Sequence, residues 1–170
     1  MGAGKTTLGK ALSRDLGVEF IDLDWYIESR FRRTINELFA ERGEEGFREI
    51  ERNMLHEVGE FEDVVIACGG GTPCFFDNMD YMNGQGETFY LEVSVDVLFR
   101  RLRTGTARRP ILRNKSDEEL PAFIADALSR RLPFYLKARH HIDGGRLESK
   151  RQIRETIEQV KSILQTNKQP

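Results

Sequence analysis

GAGKTTLGK, at residues 2–10, supplies the last part of a Walker A loop, whose pattern is G-x-x-x-x-G-K-[ST] at the end of a β-strand. Such a loop binds polyphosphates because its glycines leave backbone N–H groups open and because it leads into the positive end of a helix. Apolar residues at helical spacing then run from Leu8 to Leu16, and Gly17 ends the pattern. The stretch therefore predicts nucleotide binding, with a lysine charge on the phosphates and a hydroxyl ligand for Mg²⁺. The predicted nucleotide-binding residues are Gly2, Ala3, Gly4, Lys5, Thr6 and Thr7, with Thr6 as the metal ligand.

The bulk composition indicates one domain that acts on a small molecule. The 170 residues are 39% hydrophobic, which is enough for a single core over residues 1–170. With 26 Lys and Arg against 28 Asp and Glu, the chain lacks the basic excess on which sequence-independent nucleic-acid binding depends. Its apolar runs, such as VVIAC at 64–68, are far shorter than the roughly 20 residues of a membrane span. We therefore expect a cytoplasmic protein with no nucleic-acid or membrane partner, and free thiols at Cys68 and Cys74.

Short apolar segments alternate with helical patterns along the rest of the chain. The candidate strands are VEFID at 18–22, DVVIA at 63–67, ETFYLEV at 87–93 and HHID at 140–143. Amphipathic stretches between them predict helices, one of which opens with a capping box at Thr34 and closes at Gly43. This alternation predicts an α/β fold with a parallel sheet covered by helices on both faces. Ligands of such sheets bind outside the carboxyl ends of the strands.

Two further motifs fall at that predicted edge. Asp22 and Asp24 are separated by one residue, so we expect both to project from the same face of a strand end, where carboxylates hold Mg²⁺ or orient a hydroxyl. Gly69, Gly70 and Gly71 follow another strand and allow a ligand to touch the backbone. The alternatives are a pair of solvated turn acids and a plain tight turn.

Arginines in two places are candidate anion ligands. Arg48 lies on a helical pattern three residues before Glu51, and a solvated surface position is the alternative there. Residues 104–116, TGTARRPILRNKS, have no periodic pattern and predict a mobile lid. Arg108 and Arg109 of this lid could stabilise the charge that spreads over a transferring γ-phosphoryl group. A solvated charge run is the alternative for the lid.

Taken together and in order, these motifs resemble those of shikimate kinases, small P-loop enzymes of aromatic amino-acid biosynthesis. The shared stretches are GAGKTT, FIDLD, ELFAERGEEGFREIE, ACGGGTP, RRPIL and RRLPFY, which span residues 2–135. The resemblance implies a P-loop kinase with a parallel sheet of 2-3-1-4-5 order between helices, working as a monomer with ATP and Mg²⁺. It implies transfer of the γ-phosphoryl group of ATP to the 3-hydroxyl of shikimate, giving shikimate 3-phosphate and ADP.

The resemblance also implies roles for individual side chains around the substrate. Asp24 is similar to the family residue that hydrogen-bonds the shikimate hydroxyls and acts as base, and Asp22 to the acid near Mg²⁺. Arg48 and Arg131 resemble the two arginines that hold the shikimate carboxylate, which a guanidinium fork suits. Glu51 resembles the acid that holds Arg48. The predicted substrate-binding helices span about 24–59, and the implied substrate-binding residues are Asp24, Arg48, Gly69, Gly70, Gly71 and Arg131.

On the nucleotide side, Arg109 resembles the lid arginine that reaches the phosphates, and Arg103 resembles a residue that packs on adenine. The implied catalytic residues are Lys5, Asp24 and Arg109.

The sequence departs from the family pattern at its beginning. In the family an apolar strand runs into G-x-M-G-A-G-K-[ST], and Met1 aligns with the methionine inside that loop. The chain as given therefore lacks strand 1, the central one, and the first glycine of the loop. We expect the chain as given to be poorly folded or inactive, and a form extended upstream by roughly ten residues to recover activity.

Two other functions remain open from the residues alone. One is a different small P-loop kinase, of the gluconate or nucleoside-monophosphate type, although a pair of arginines favours a hydroxylated carboxylic acid as acceptor. The other is an ATP-binding regulatory protein without turnover, because the loop is incomplete.

Overall fold

Helices and short strands follow one another in the alternating order that the sequence predicts. The structure is a computed structural model that describes residues 2–104 and 118–166. The strands are β1 (Glu19–Asp22), β2 (Val64–Ala67), β3 (Phe89–Glu92) and β4 (His140–Asp143). The helices are α1 (Lys5–Leu16), α2 (Leu23–Phe31), α3 (Ile35–Gly59), α4 (Asn78–Gln85), α5 (Val95–Thr104), α6 (Glu119–Tyr135) and α7 (Lys150–Thr166), with a 3₁₀ turn at Thr72–Cys74.

The four strands form two parallel pairs. β1 pairs with β2, with Asp22 opposite Ala67, and β3 pairs with β4, with Glu92 opposite Asp143. Among the described residues, β2 and β3 do not pair with each other. This division agrees with the predicted 2-3-1-4-5 order without its strand 1, which would lie between β2 and β3.

One hydrophobic core joins the two sheets. Leu8 and Leu12 of α1 are buried together with Leu91 of β3 and Ile142 of β4, and Val65 of β2 packs against this cluster. The apolar stripe of α1 that the sequence shows is thus the face that contacts both sheets. Because α1 is held in this way, its N-terminus is fixed relative to the carboxyl ends of the strands.

The helical segment α3 consists of two helices joined at a glycine, as the sequence predicts. Thr34 and Glu37 form both bonds of a capping box at its start. Gly43 has φ 68°, a left-handed conformation that breaks the helical path. Phe47 and Val58 on the second half are buried against the same apolar cluster as Ile21 of β1. The second half of α3, which carries Arg48, is therefore held in place by its own buried residues.

The prediction that Asp24 lies at a strand end on the same face as Asp22 was wrong. Strand β1 ends at Asp22, and Asp24 lies in the first turn of α2. Leu23 and Ile27 are both fully buried, and their spacing of four residues is that of one helix face. Because Leu23 and Ile27 are buried on one helix face, the chain changes directly from strand β1 to helix α2 after Asp22.

Two further expectations concern the predicted lid and the expected lack of a membrane span. Residues 105–116 of the predicted lid, with Arg108 and Arg109, lie outside the described residues. Over residues 2–104 and 118–166, no helix combines the length and the apolar character that a membrane span requires.

Lys10 of α1 lies over Trp25 of α2, with its Nζ atom 4.3 Å from the ring centroid, so a cation-π contact links these helices.

Candidate active site

The phosphate loop has the backbone geometry that anion binding requires. Gly4 precedes α1 with φ 91°, and its carbonyl accepts the first helical hydrogen bond, from Leu8 N at 2.9 Å. A side chain is excluded at Gly4 because a Cβ atom there would lie 2.8 Å from Cδ1 of Leu147. The N–H groups at the start of an α-helix have no partner within the helix. The start of α1 at Lys5, Thr6 and Thr7 therefore has the backbone arrangement of an anion-binding helix N-terminus.

Arg101 fixes the backbone on the other side of this loop. Its Nη1 atom donates to the carbonyl oxygens of Gly2 at 3.3 Å and of Gly144 at 2.9 Å, and its Nη2 atom donates to Gly145 at 3.1 Å. The loop is thus tied to the turn that follows β4. Sequence reasoning missed Arg101 and named Arg103, whose guanidinium lies over the ring of Phe99 at 5.8 Å.

The two predicted metal ligands are in direct contact. Thr6 Oγ1 donates to Asp22 Oδ2 at 2.8 Å, which joins the first turn of α1 to the end of β1. One hydroxyl and one carboxylate at this position suit Mg²⁺, which takes few protein ligands and completes its shell with water and substrate phosphates. In the described part of the chain, no three His, Cys, Asp or Glu side chains form a metal-binding group. The Thr6–Asp22 pair therefore fits a magnesium site in which the nucleotide and water supply the other ligands.

The triple glycine brings Asp24 close to the second half of α3. A Cβ atom placed on Gly69 would lie 3.1 Å from Asp24 Oδ1 and 3.3 Å from Glu51 Oε1. A Cβ atom on Gly71 would lie 2.7 Å from Arg48 Nη1. The glycines are therefore needed because charged side chains lie directly against the backbone there.

Arg48 is held on several sides. Its Nη1 atom donates to Glu51 Oε2 at 2.7 Å, and only 11% of its side chain is exposed. Its guanidinium carbon lies 4.1 Å from the ring centroid of Phe75 and 5.3 Å from that of Phe47. The solvated alternative for Arg48 is therefore wrong, and the guanidinium is oriented before any ligand binds.

Arg131 reaches the same place from α6. Burial raises the pKa of the Tyr135 hydroxyl, and the charge of Arg131 together with its hydrogen bond to that hydroxyl opposes the rise. Tyr135 in turn donates to the Gly70 carbonyl at 2.6 Å. Burial also raises the pKa of Cys74, while the charges of Arg131 and then Arg48 lower it. Both predicted carboxylate ligands thus lie near Cys74, next to the glycine turn.

Cys68 shows that the nucleotide and acceptor sides of the site adjoin. Burial raises the pKa of its thiol to about 12, and the carboxylates of Glu51, Asp24 and Asp22 add to this rise. The ammonium of Lys5 acts in the opposite direction. Geometry gives the same placement, because Thr6 bonds to Asp22, Asp22 lies opposite Ala67 in the sheet, and Asp24 and Glu51 lie against the backbone at Gly69. The phosphate loop, the aspartates and the Glu51–Arg48 pair therefore lie at one edge of the two strands.

Sequence reasoning missed part of this neighbourhood. Thr72 donates its hydroxyl to Glu51, and Phe75 and Tyr135 contact Arg48 and Gly70 as described above. Tyr135 had a signal, because it closes the RRLPFY stretch that contains Arg131. Thr72 had the same kind of signal, because it lies in the ACGGGTP stretch, whereas no signal marked Phe75, whose partner Arg48 is distant in sequence.

Comparisons with known proteins agree with this geometry. The family model for shikimate kinase matches residues 1–162. The shikimate kinase of Phocaeicola vulgatus is 60% identical over 164 residues, covering 96% of this chain and 94% of the relative, and that of Bacteroides fragilis is 59% identical.

Solved structures give the same result. A crystal structure of shikimate kinase from Bacteroides thetaiotaomicron superimposes with a TM-score of 0.95 at 58% identity, covering 97% of this chain and 94% of that chain. The shikimate kinase from Acinetobacter baumannii in complex with shikimate has a TM-score of 0.85 at 31% identity, covering all of this chain and 91% of that chain. With the family model spanning nearly the whole sequence and relatives this similar, the chain belongs to the shikimate kinase family.

Proposed function

We propose that this protein transfers the γ-phosphoryl group of ATP to the 3-hydroxyl of shikimate, giving shikimate 3-phosphate and ADP. The observation that carries the proposal is the shared edge, where Lys5 and the Thr6–Asp22 pair adjoin Asp24, Arg48 and Arg131. The relative from Acinetobacter baumannii was solved with shikimate bound, which supports the same acceptor here.

The nucleotide side of the reaction is assigned to the phosphate loop. The backbone N–H groups at the start of α1 bind the phosphate oxygens, and Lys5 places a positive charge on the transferring group. Thr6 and Asp22 would hold Mg²⁺, which neutralises charge on the β- and γ-phosphate oxygens when bound. Little covalent work falls to the protein, because phosphoryl transfer depends mainly on positioning and charge stabilisation.

The acceptor side is assigned to the arginines and Asp24. Arg48 and Arg131 bind the shikimate carboxylate, for which guanidinium groups have the matching donor geometry. Asp24 accepts a hydrogen bond from the reacting hydroxyl and takes its proton as the new P–O bond forms. Arg109 and the lid around it, at 104–116, are proposed to close over the phosphates and to exclude water as a competing acceptor. Arg103 is proposed to pack on adenine.

We further propose that the chain acts as a single-domain monomer in the cytoplasm and serves aromatic amino-acid biosynthesis.

Release of ADP that depends on the acceptor tests the proposed function. In a coupled assay with ATP and Mg²⁺, we expect shikimate to start ADP release, and gluconate or a nucleoside monophosphate to leave it at the background rate. ADP release with gluconate or the monophosphate would indicate another P-loop kinase. Tight ATP binding without acceptor-dependent release would favour a regulatory protein.

A second prediction concerns Gly71. Its φ of −87° and ψ of −30° are accessible to alanine, so Gly71→Ala introduces no backbone strain. The added methyl group would nevertheless lie 2.7 Å from Arg48 Nη1 and displace it. We expect the KM for shikimate to rise about 10- to 100-fold, because small misplacements of a positioning group are costly.

Gly84→Ala is the matched control for this substitution. Gly84 lies in α4, and a Cβ atom there would contact nothing within 4 Å. An equal rise in KM for both variants would show that Gly71 does not act through Arg48.

A further inference from the structure

Glu51 is a buried carboxylate whose two oxygens have different partners. Only 2% of the residue is exposed. Oε2 accepts from Arg48 Nη1 at 2.7 Å, and Oε1 accepts from Thr72 Oγ1 at 2.6 Å. Both are charge-assisted hydrogen bonds, which are shorter and stronger than neutral ones. Thr72, Glu51 and Arg48 therefore form a continuous chain that ends at the guanidinium.

Thr72 is itself held from behind. The residue is fully buried, and its carbonyl accepts a hydrogen bond from Asn78 Nδ2 at 2.8 Å. Asn78 is also fully buried, at the start of α4. The Thr72 hydroxyl is thus placed by packing and by the backbone, and it does not depend on Arg48 for its position.

The hydrogen bond from the Thr72 hydroxyl sets the orientation of the Glu51 carboxylate plane. Rotation about the last torsion of a glutamate is broad, so the side-chain geometry alone does not fix the plane of the carboxylate. With Oε1 engaged by Thr72, only Oε2 faces Arg48. Without that donor, Oε1 would be a buried charged oxygen lacking a partner, and rotation toward the guanidinium would be the available remedy. Such a rotation engages a second N–H group of Arg48 and turns the fork away from its resting position.

We propose that Thr72 is a positioning residue for shikimate binding, which acts on Arg48 through Glu51. The inference rests on the proposed function, in that Arg48 is assigned to the substrate carboxylate. Thr72 keeps Glu51 bound to Nη1 of the guanidinium. Nη2 then faces the exposed carboxylate of Glu44 at 3.6 Å, which a substrate carboxylate can replace.

Thr72→Val removes the hydroxyl while keeping the shape of the side chain. We expect the KM for shikimate to rise about tenfold, the effect of losing one hydrogen bond to a charged group, with kcat changed less than about threefold and the KM for ATP unchanged. Thr72→Ser retains the donor and is expected to restore the parent KM. A purely structural role would instead lower the melting temperature without changing either KM.

Thr156→Val controls for loss of a buried hydroxyl elsewhere. Thr156 is buried in α7, and its Oγ1 donates to the Gln152 carbonyl at 3.0 Å. Its substitution should leave the KM for shikimate unchanged. If Thr72→Val does not fold at 25 °C, as judged by circular dichroism, Thr72→Ala removes the same hydroxyl and takes its place in the comparison.

The pathway through Arg48 is tested by combining Thr72→Val with Arg48→Lys. Residues that act through one another are not additive, so Thr72→Val should add less than about twofold to the KM of the Arg48→Lys variant. A tenfold increase in both backgrounds would overturn action through Arg48.

The same measurements separate the inference from the proposed function. A parental KM for Thr72→Val beside a raised KM for Arg48→Lys would overturn the inference alone. Parental values for both variants would overturn the role of Thr72 and the assignment of Arg48 together.

Discussion

Arg48→Lys is expected to lower kcat/KM for shikimate about 10²–10³-fold, mainly through a higher KM. The ammonium of lysine keeps the positive charge next to Glu51 but cannot present two parallel N–H groups to a carboxylate. Losing hydrogen bonds to a charged group costs about 1.5–3 kcal/mol each, which corresponds to this range for one or two bonds. Lysine is preferred over alanine because alanine would leave the buried Glu51 unpaired, at a cost of about 3–5 kcal/mol of stability.

Arg52→Lys is the matched control, one turn further along α3. Arg52 pairs with Asp77 at 2.8 Å and lies over the ring of Phe76, and no role at the substrate is assigned to it. Steady-state kinetics with varied shikimate should show less than about a threefold change for this variant, the small effect typical of an exposed ion pair. If the two lysine variants had the same KM, Arg48 would not be the carboxylate ligand.

The largest effect on turnover is expected at Lys5. Lys5→Met keeps most of the length of the side chain and removes the charge that we propose faces the transferring phosphoryl group. Removing one stabilising group of this kind from an active site lowers kcat about 10²–10³-fold. The effect should remain when both substrates are saturating, because it acts on the transition state.

Lys10→Met provides the comparison for this second prediction. Lys10 lies on the same helix, α1, but its ammonium contacts the ring of Trp25. Its replacement should leave kcat within about threefold of the parent value, as expected for a surface cation-π contact. A kcat for Lys5→Met as high as that for Lys10→Met would remove Lys5 from the catalytic machinery.

Much of the fold followed from local sequence patterns. The phosphate loop and α1 were predicted because glycines, a lysine and an apolar stripe stand next to one another in the chain. The break at Gly43 and the capping box at Thr34 were predicted for the same reason, since both depend on residues within one turn. These features are local, so one sequence is sufficient to find them.

Features that depend on distant partners were harder to predict. Asp24 was placed on a strand because DLD alternates, but burial of Leu23 and Ile27 under α3 selects a helix instead. Helix α4 was not predicted, since NMDYMNGQ carries no apolar stripe and Asn78 is buried for its hydrogen bond to Thr72.

In the candidate site, too, the residues that are close in sequence were predicted and the distant partner was not. Arg48 and Glu51 are neighbours on one helix and were identified together. The donor that orients Glu51 lies 21 residues away in the chain, so only the folded structure reveals it.

The contact between Lys10 and Trp25 has a practical consequence. Trp25 is the single tryptophan of the chain, the residue is 54% exposed, and it directly follows Asp24. Lys10 belongs to the helix that starts at the phosphate loop, and Trp25 to the helix that carries Asp24, so their contact joins these two helices. Intrinsic fluorescence excited at the indole band therefore has one source, and its emission reports the spacing of these two helices during ligand titration without an attached dye.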